Sequence, residues 1–120
     1  MPLASTGETT VLNALLAARF VSLHTGAPGD AGANEVSGGA YARQAATFAN
    51  TGNNPTVASN TTLIQYPTAT ASWGTISHFG IWSAASGGTF LAWNTVLTPK
   101  AVGIDDIARW DVGKLTVTTD

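Results

Sequence analysis

Charge is what this chain has least of. Seven Asp/Glu and five Lys/Arg make up 10% of its 120 residues, against about 25% in an ordinary soluble domain. The five cations, Arg19, Arg43, Lys100, Arg109 and Lys114, stand singly. Nucleic-acid affinity rests on clustered Lys and Arg, so no nucleic-acid partner is expected. Cysteine is absent, which excludes disulfides and thiolate metal sites. No apolar run approaches the roughly 20 residues that a spanning helix needs, so no membrane partner is expected. The first ten residues hold no positive charge, unlike the basic start of a secretory signal. No block recurs at a fixed period, which argues against a solenoid.

In place of charge the chain carries small residues: 20 Ala, 18 Thr and 13 Gly. A hydrophobic content of 44%, with four Trp and four Phe, suffices for a core and argues against disorder. A single domain over residues 1–120 is expected, burying about two-thirds of its unfolded surface. A helix is expected over 5–19. Ser5 and Glu8 have the spacing of a capping box. Val11, Leu12, Leu15, Leu16 and Ala18 recur at helical period, and Arg19 suits a C-terminal turn.

From Phe20 onward the pattern is β. A short strand to His24 runs into a loop, 25–39, with five Gly and one Pro. Strands are expected over Tyr41–Phe48 and Val57–Tyr66, with a loop over 49–56 between them. The strongest β signal is a hairpin over 75–97. Ile76, His78, Gly80 and Trp82 alternate with Ser77, Phe79 and Ile81, so both faces are apolar. Such a hairpin is covered on two sides, or meets a partner on one. Pro99 is expected to end its return strand. Short strands then follow at 102–104, 107–112 and 115–118, with Asp105-Asp106 and Gly113 at turns. The fold class is mainly β: an antiparallel β-sandwich or jelly roll with one N-terminal helix.

Chemistry is thinly represented. His24 and His78 are the only histidines. His24 has Asp30 and Glu35 near it in sequence, as a base with its orienter would. No G-x-S-x-G elbow accompanies them, and His24 reads more simply as a strand end that binds loop carbonyls. His78 reads as a core or interface side chain. Asp105-Asp106 fit no recognised cation loop, and the oxygen-rich set Asp30, Asn34 and Glu35 could hold Ca²⁺ but reads more simply as a solvated Gly-rich loop. Trp73, Trp82, Trp93 and Trp110 are core candidates first and sugar-stacking or partner-contacting residues second. No catalytic, cofactor or metal site is assigned, and the chain is not expected to be an enzyme. Gly26, Gly38 and Gly39 are expected at positive φ, where Ala is costly. Tyr41 and Arg43 are expected to order the long loop, with Arg43 reaching Glu35 or loop carbonyls.

Two blocks carry a family resemblance. Residues 22–44, SLHTGAPGDAGANEVSGGAYARQ, resemble a signature of small virion proteins of tailed bacteriophages. In it a strand runs into His-Thr, a Gly/Pro loop, Gly-Ala-Asn-Glu-Val, Gly-Gly and Tyr-Ala-Arg. Residues 73–93, WGTISHFGIWSAASGGTFLAW, are similar to the later hairpin of the same family. The resemblance implies a structural protein of the virion, assembled in the cytoplasm of the bacterial host. It implies either a capsid decoration (cement) protein on the major capsid protein or a tail-fibre protein, the latter with a host-carbohydrate role. The missing charge leans toward decoration. A homo-oligomer is implied, a trimer being usual for fibres. A fibre shaft needs repeats or a long heptad, and neither is present.

Overall fold

The computed structural model describes residues 19–52 and 56–119. The chain is mainly β, and among the described residues there is no helix. The helix expected over 5–19 lies outside the described residues, apart from Arg19. That residue opens a strand, β1 (Arg19–His24), rather than closing a helix.

The largest sheet has the order β2-β1-β6-β7, with β2 (Gln44–Ala46), β6 (Gly74–Trp82) and β7 (Phe90–Val102) all antiparallel to their neighbours. A second sheet has the order β3-β4-β9, from β3 (Phe48–Gly52), β4 (Thr56–Asn60) and β9 (Thr116–Thr119). A two-stranded pair joins β5 (Ile64–Gln65) to β8 (Arg109–Trp110).

The register of β1 against β6 sets which residues share a face. Val21 lies opposite Ile81, Leu23 opposite Phe79, Ser22 opposite Gly80 and Phe20 opposite Trp82. Strand side chains alternate. One face therefore collects Val21, Leu23, Phe79 and Ile81, and all four are buried in the main core with Ile64, Tyr66, Ile76 and Val102. Tyr66 has almost no exposed surface, and its hydroxyl donates to the Val21 carbonyl at 2.7 Å, which meets the need of a buried phenol for a partner. The opposite face presents Ser22, His24, Gly80 and Trp82, and these too are buried. Their cover is the chain's own 25–43 segment.

Several boundaries differ from those expected. The return strand β7 does not stop at Pro99 but continues to Val102. Among the described strands β7 ends its sheet, and proline, lacking a donor, is tolerated on such a strand. The strand expected at 102–104 is the end of β7 followed by a turn at Asp105, whose φ is +71°. Residues 49–52 are strand rather than loop. The pairing of β3 with β4 shifts register between Asn50 and Gly52, the local irregularity that a bulge provides. Residues 57–66 divide into β4 and β5 around Thr61-Thr62-Leu63.

The three glycines singled out in the sequence separate. Gly38 and Gly39 take φ of +75° and +59°, whereas Gly26 is not left-handed. A Cβ on Gly39 would stand 2.7 Å from the Trp73 Nε1, while one on Gly38 meets open space. In urea unfolding, Gly39→Ala is expected to cost about 2 kcal/mol and Gly38→Ala about 1 kcal/mol. Gly26→Ala should stay within about 0.5 kcal/mol. Equal midpoints for the three variants would contradict this order.

Candidate functional site

The two signature blocks converge on one buried polar network beneath the 25–43 segment. At its base Ser22 and His24 point the same way from β1. His24 Nδ1 lies 2.7 Å from the Ala33 carbonyl oxygen. A carbonyl only accepts, so Nδ1 carries the proton. His24 Nε2 then accepts from the Ser22 hydroxyl at 2.7 Å, and Ser22 Oγ in turn accepts the Trp82 indole N–H at 2.9 Å. Every ring and hydroxyl position is used. Burial disfavours the imidazolium and holds the His24 pKa below 6.5, against the opposing pull of the Ala33 carbonyl and Glu35.

A hydroxyl against an imidazole is the contact that activates a nucleophile. Here both side chains are fully buried, and Phe90 packs over His24 with ring centroids 6.1 Å apart. The pair is enclosed, with no surface on which a substrate could meet it. Gly80 makes room for it. A Cβ at that position would lie 2.6 Å from Ser22 Oγ, 2.6 Å from Phe90 and 2.9 Å from His24 Nε2.

Above this layer sits an ion pair. Arg43 Nε donates to Glu35 Oε2 at 2.8 Å and an Arg43 terminal nitrogen donates to Oε1 at 2.9 Å, the two-pronged geometry in which a guanidinium binds a carboxylate best. Tyr41 Oη donates to Glu35 Oε2 at 2.7 Å and accepts the Leu23 backbone N–H at 3.1 Å. The other terminal nitrogen of Arg43 reaches the carbonyls of Ala84 and Gly87, at 3.1 and 2.9 Å, in the β6–β7 turn. The guanidinium carbon stands 3.7 Å from the centroid of a Trp82 ring, a cation–π contact. Burial alone would raise the Glu35 pKa, but the hydrogen bonds from Arg43 and Tyr41 outweigh it and bring it below 4.5.

The backbone closes the same assembly. Thr25 N–H donates to the Asn34 carbonyl and Val36 N–H to the Leu23 carbonyl. Trp73 Nε1 donates to the Gly39 carbonyl at 2.9 Å. Arg43 and Tyr41 thus order the long loop as the sequence led one to expect, through Glu35 and turn carbonyls. The groups imagined as a cation site do not converge. Glu35 is engaged by Arg43 and Tyr41, Asn34 donates to the Ala27 carbonyl, and Asp30 lies exposed. Asp106 accepts the Gly103 N–H within its own turn.

Of the tryptophans, Trp73 and Trp82 are buried in this assembly, Trp110 is half-buried and Trp93 is exposed. His78, opposite His24 in the β1–β6 register, pairs with Ser77 at 2.8 Å and lies tilted against Trp93 with ring centroids 5.6 Å apart. Ser22, Gly80 and Phe90 were not singled out as site residues in the sequence, although they build the network's floor, nor was Gly32, where a Cβ would stand 2.5 Å from the Trp82 ring. The signal was present in the Ser22-x-His24 alternation and its register against Gly80 and Trp82.

Both ionisable groups stabilise the fold in their less protonated form. His24 has a folded pKa below its unfolded 6.5, and Glu35 one below 4.5. Stability is therefore complete above the unfolded values and falls as pH drops through each window. The melting temperature is expected to fall in two stages, beginning near pH 6.5 and again below pH 4.5, and His24→Gln should remove the upper stage. A wild-type melting temperature constant between about pH 7 and pH 5 would contradict the neutral, buried assignment of His24.

A family model described as "Podophage GP4 fiber I protein gp80" matches residues 5–118. No curated protein matches. The match spans both signature blocks and bears out the resemblance to tailed-phage virion proteins. Its residues 22–44 and 73–93 are those that assemble the buried network. By this match the chain belongs to the podophage fibre I family and is a structural component of a bacteriophage virion.

Proposed function

We propose that the chain is a fibre subunit of the particle, a compact structural module that works through contacts with copies of itself and other virion proteins, not through catalysis. The observation that carries this is the family match over residues 5–118. It favours the fibre alternative over capsid decoration. The enclosure of Ser22 and His24 supports the non-enzymatic part. The apolar surface left exposed supports the contacts: Trp93, Ile104, Ile107 and Val112 lie outside the core, and tryptophan is enriched where interfaces bind most strongly. Subunit contact accounts for only part of the low charge, because Ser22, His24, Gly80 and Trp82 on the second face of the sheet are covered from within. We read the three sheets about one core as a single sandwich-type domain. The jelly roll, with eight strands in two Greek keys, is less in keeping with the β2-β1-β6-β7 order.

Decoration remains the second reading, favoured by the compact fold and the lack of repeats. A phage deleted for this chain separates the two. The fibre reading expects DNA-filled heads of normal heat and chelator resistance, with adsorption to host cells sharply reduced. Fragile heads with unimpaired adsorption would overturn it in favour of decoration.

A further inference from the structure

A groove runs between β7 and the 108–116 segment, away from the buried network. It has two lobes, of about 240 and 340 Å³, which share Val96, Trp110 and Lys114 as walls. The first lobe is floored by the buried apolar side chains of Leu23, Ile76 and Val102 and edged by Lys100, Arg109 and Lys114. Three of the five cations of a chain with net charge −2 therefore face one cleft. Among the described residues, no Asp or Glu lines either lobe. The nearby Asp111 carboxylate makes a long, exposed 3.7 Å pair with Arg109. The second lobe adds Asn94, Thr95 and Thr116.

The wall is firmly held. Asn60, which is buried, donates its amide to the carbonyls of Thr62 and Asp111 and accepts the Leu115 N–H at 2.9 Å. The Gly113 N–H donates to the Asn60 carbonyl. Trp110 is fixed edge-on by Tyr66 and Phe79, with centroids 6.2 and 6.1 Å away.

We propose that this groove binds an acidic saccharide, a short run of uronic-acid sugars. The chemistry selects the class. A bare inorganic anion has no use for an apolar floor, and an aliphatic acid has none for the amide and hydroxyls of the second lobe. A uronic-acid ring carries all three complements. It offers an apolar C–H face for Trp110 and the floor, hydroxyls for Asn94, Thr95 and Thr116, and a carboxylate for the cations. The inference adds a ligand to the fibre reading and does not depend on it, since the groove belongs to the chain wherever the virion carries it.

The test is calorimetric titration of the full chain, at low salt, with tetragalacturonate, with neutral maltotetraose and with tetraglutamate. Tetragalacturonate is expected to bind, with affinity falling as salt rises. Maltotetraose and tetraglutamate should bind at least roughly tenfold more weakly. The variant Lys100→Gln/Arg109→Gln/Lys114→Gln changes only exposed side chains and should lose about tenfold in affinity at an unchanged melting temperature. If that variant melts early, Lys114→Gln alone should lose roughly threefold. Absence of tetragalacturonate binding, equal affinity for maltotetraose, or undiminished affinity in the folded variants would overturn the proposal. Tetraglutamate binding as tightly would replace it with an acidic peptide site. A failed titration beside an adsorption-defective deletion phage would sink the ligand and leave the fibre placement standing.

Discussion

Arg43→Met should lower stability by about 3–5 kcal/mol, the range for breaking a largely buried ion pair from one side. In a domain of this size that corresponds to a fall in melting temperature of roughly 10 °C or more. The side chains of Arg43 and Glu35 are only 10% and 19% exposed. Among the described residues, removing the guanidinium leaves the Glu35 carboxylate with the Tyr41 hydroxyl as its hydrogen-bond partner. Methionine keeps much of the aliphatic stem, so the loss reports polar contacts more than packing. Three other tethers go with it: the carbonyls of Ala84 and Gly87 and the Trp82 ring. Arg43 joins the β6–β7 turn to the 25–43 segment. A double-mutant cycle separates its parts. Glu35→Gln/Arg43→Met should be less destabilised than the sum of the two single changes, because neither charge is then left unpaired. Simple additivity would mean that the ion pair is not coupled.

The second large effect is at a residue with no side chain. Gly80→Ala is expected to cost about 3 kcal/mol. Its Cβ would fall 2.6 Å from Ser22 Oγ and 2.6 Å from Phe90. Neither neighbour can withdraw easily. Ser22 is held between His24 and Trp82, and Phe90 packs on Trp82 with centroids 4.9 Å apart. Gly80 is not left-handed, so the penalty is one of space and not of backbone strain. This distinguishes it from Gly38, where the strain acts alone. A chemical-denaturation midpoint for Gly80→Ala equal to that of Gly38→Ala would contradict the packing argument.

The expectation for Arg43 could be read from sequence because its partners follow from local chemistry. A lone cation eight residues from Glu35, at the exit of a Gly-rich loop, has few carboxylates to meet in so uncharged a chain. The hairpin was equally legible, since alternation over Ile76 to Trp82 has a period of two. Its second cover was not. That the 25–43 segment folds back over Ser22, His24 and Trp82 depends on non-local register, and apolarity on both faces suits an internal cover as well as a foreign one. Pro99 misled because a proline rule holds for central strands and fails at an edge, and the sheet order is a property of the whole fold. The groove edged by Lys100, Arg109 and Lys114 was invisible for the same reason. These cations stand apart in sequence and meet only when the 108–116 segment packs beside β7.

The signature residues Ser22, His24, Glu35, Tyr41, Arg43 and Trp82 thus act inward, fastening a loop onto a sheet. The proposed place of this chain is in the fibres of the particle. An image reconstruction of the intact virion tests it most directly. Density for the chain is expected on the tail fibres, with the Glu35–Arg43 pair enclosed and the 25–43 segment seated on its own sheet. Density at the symmetry axes of the capsid shell, with none on the fibres, would contradict it.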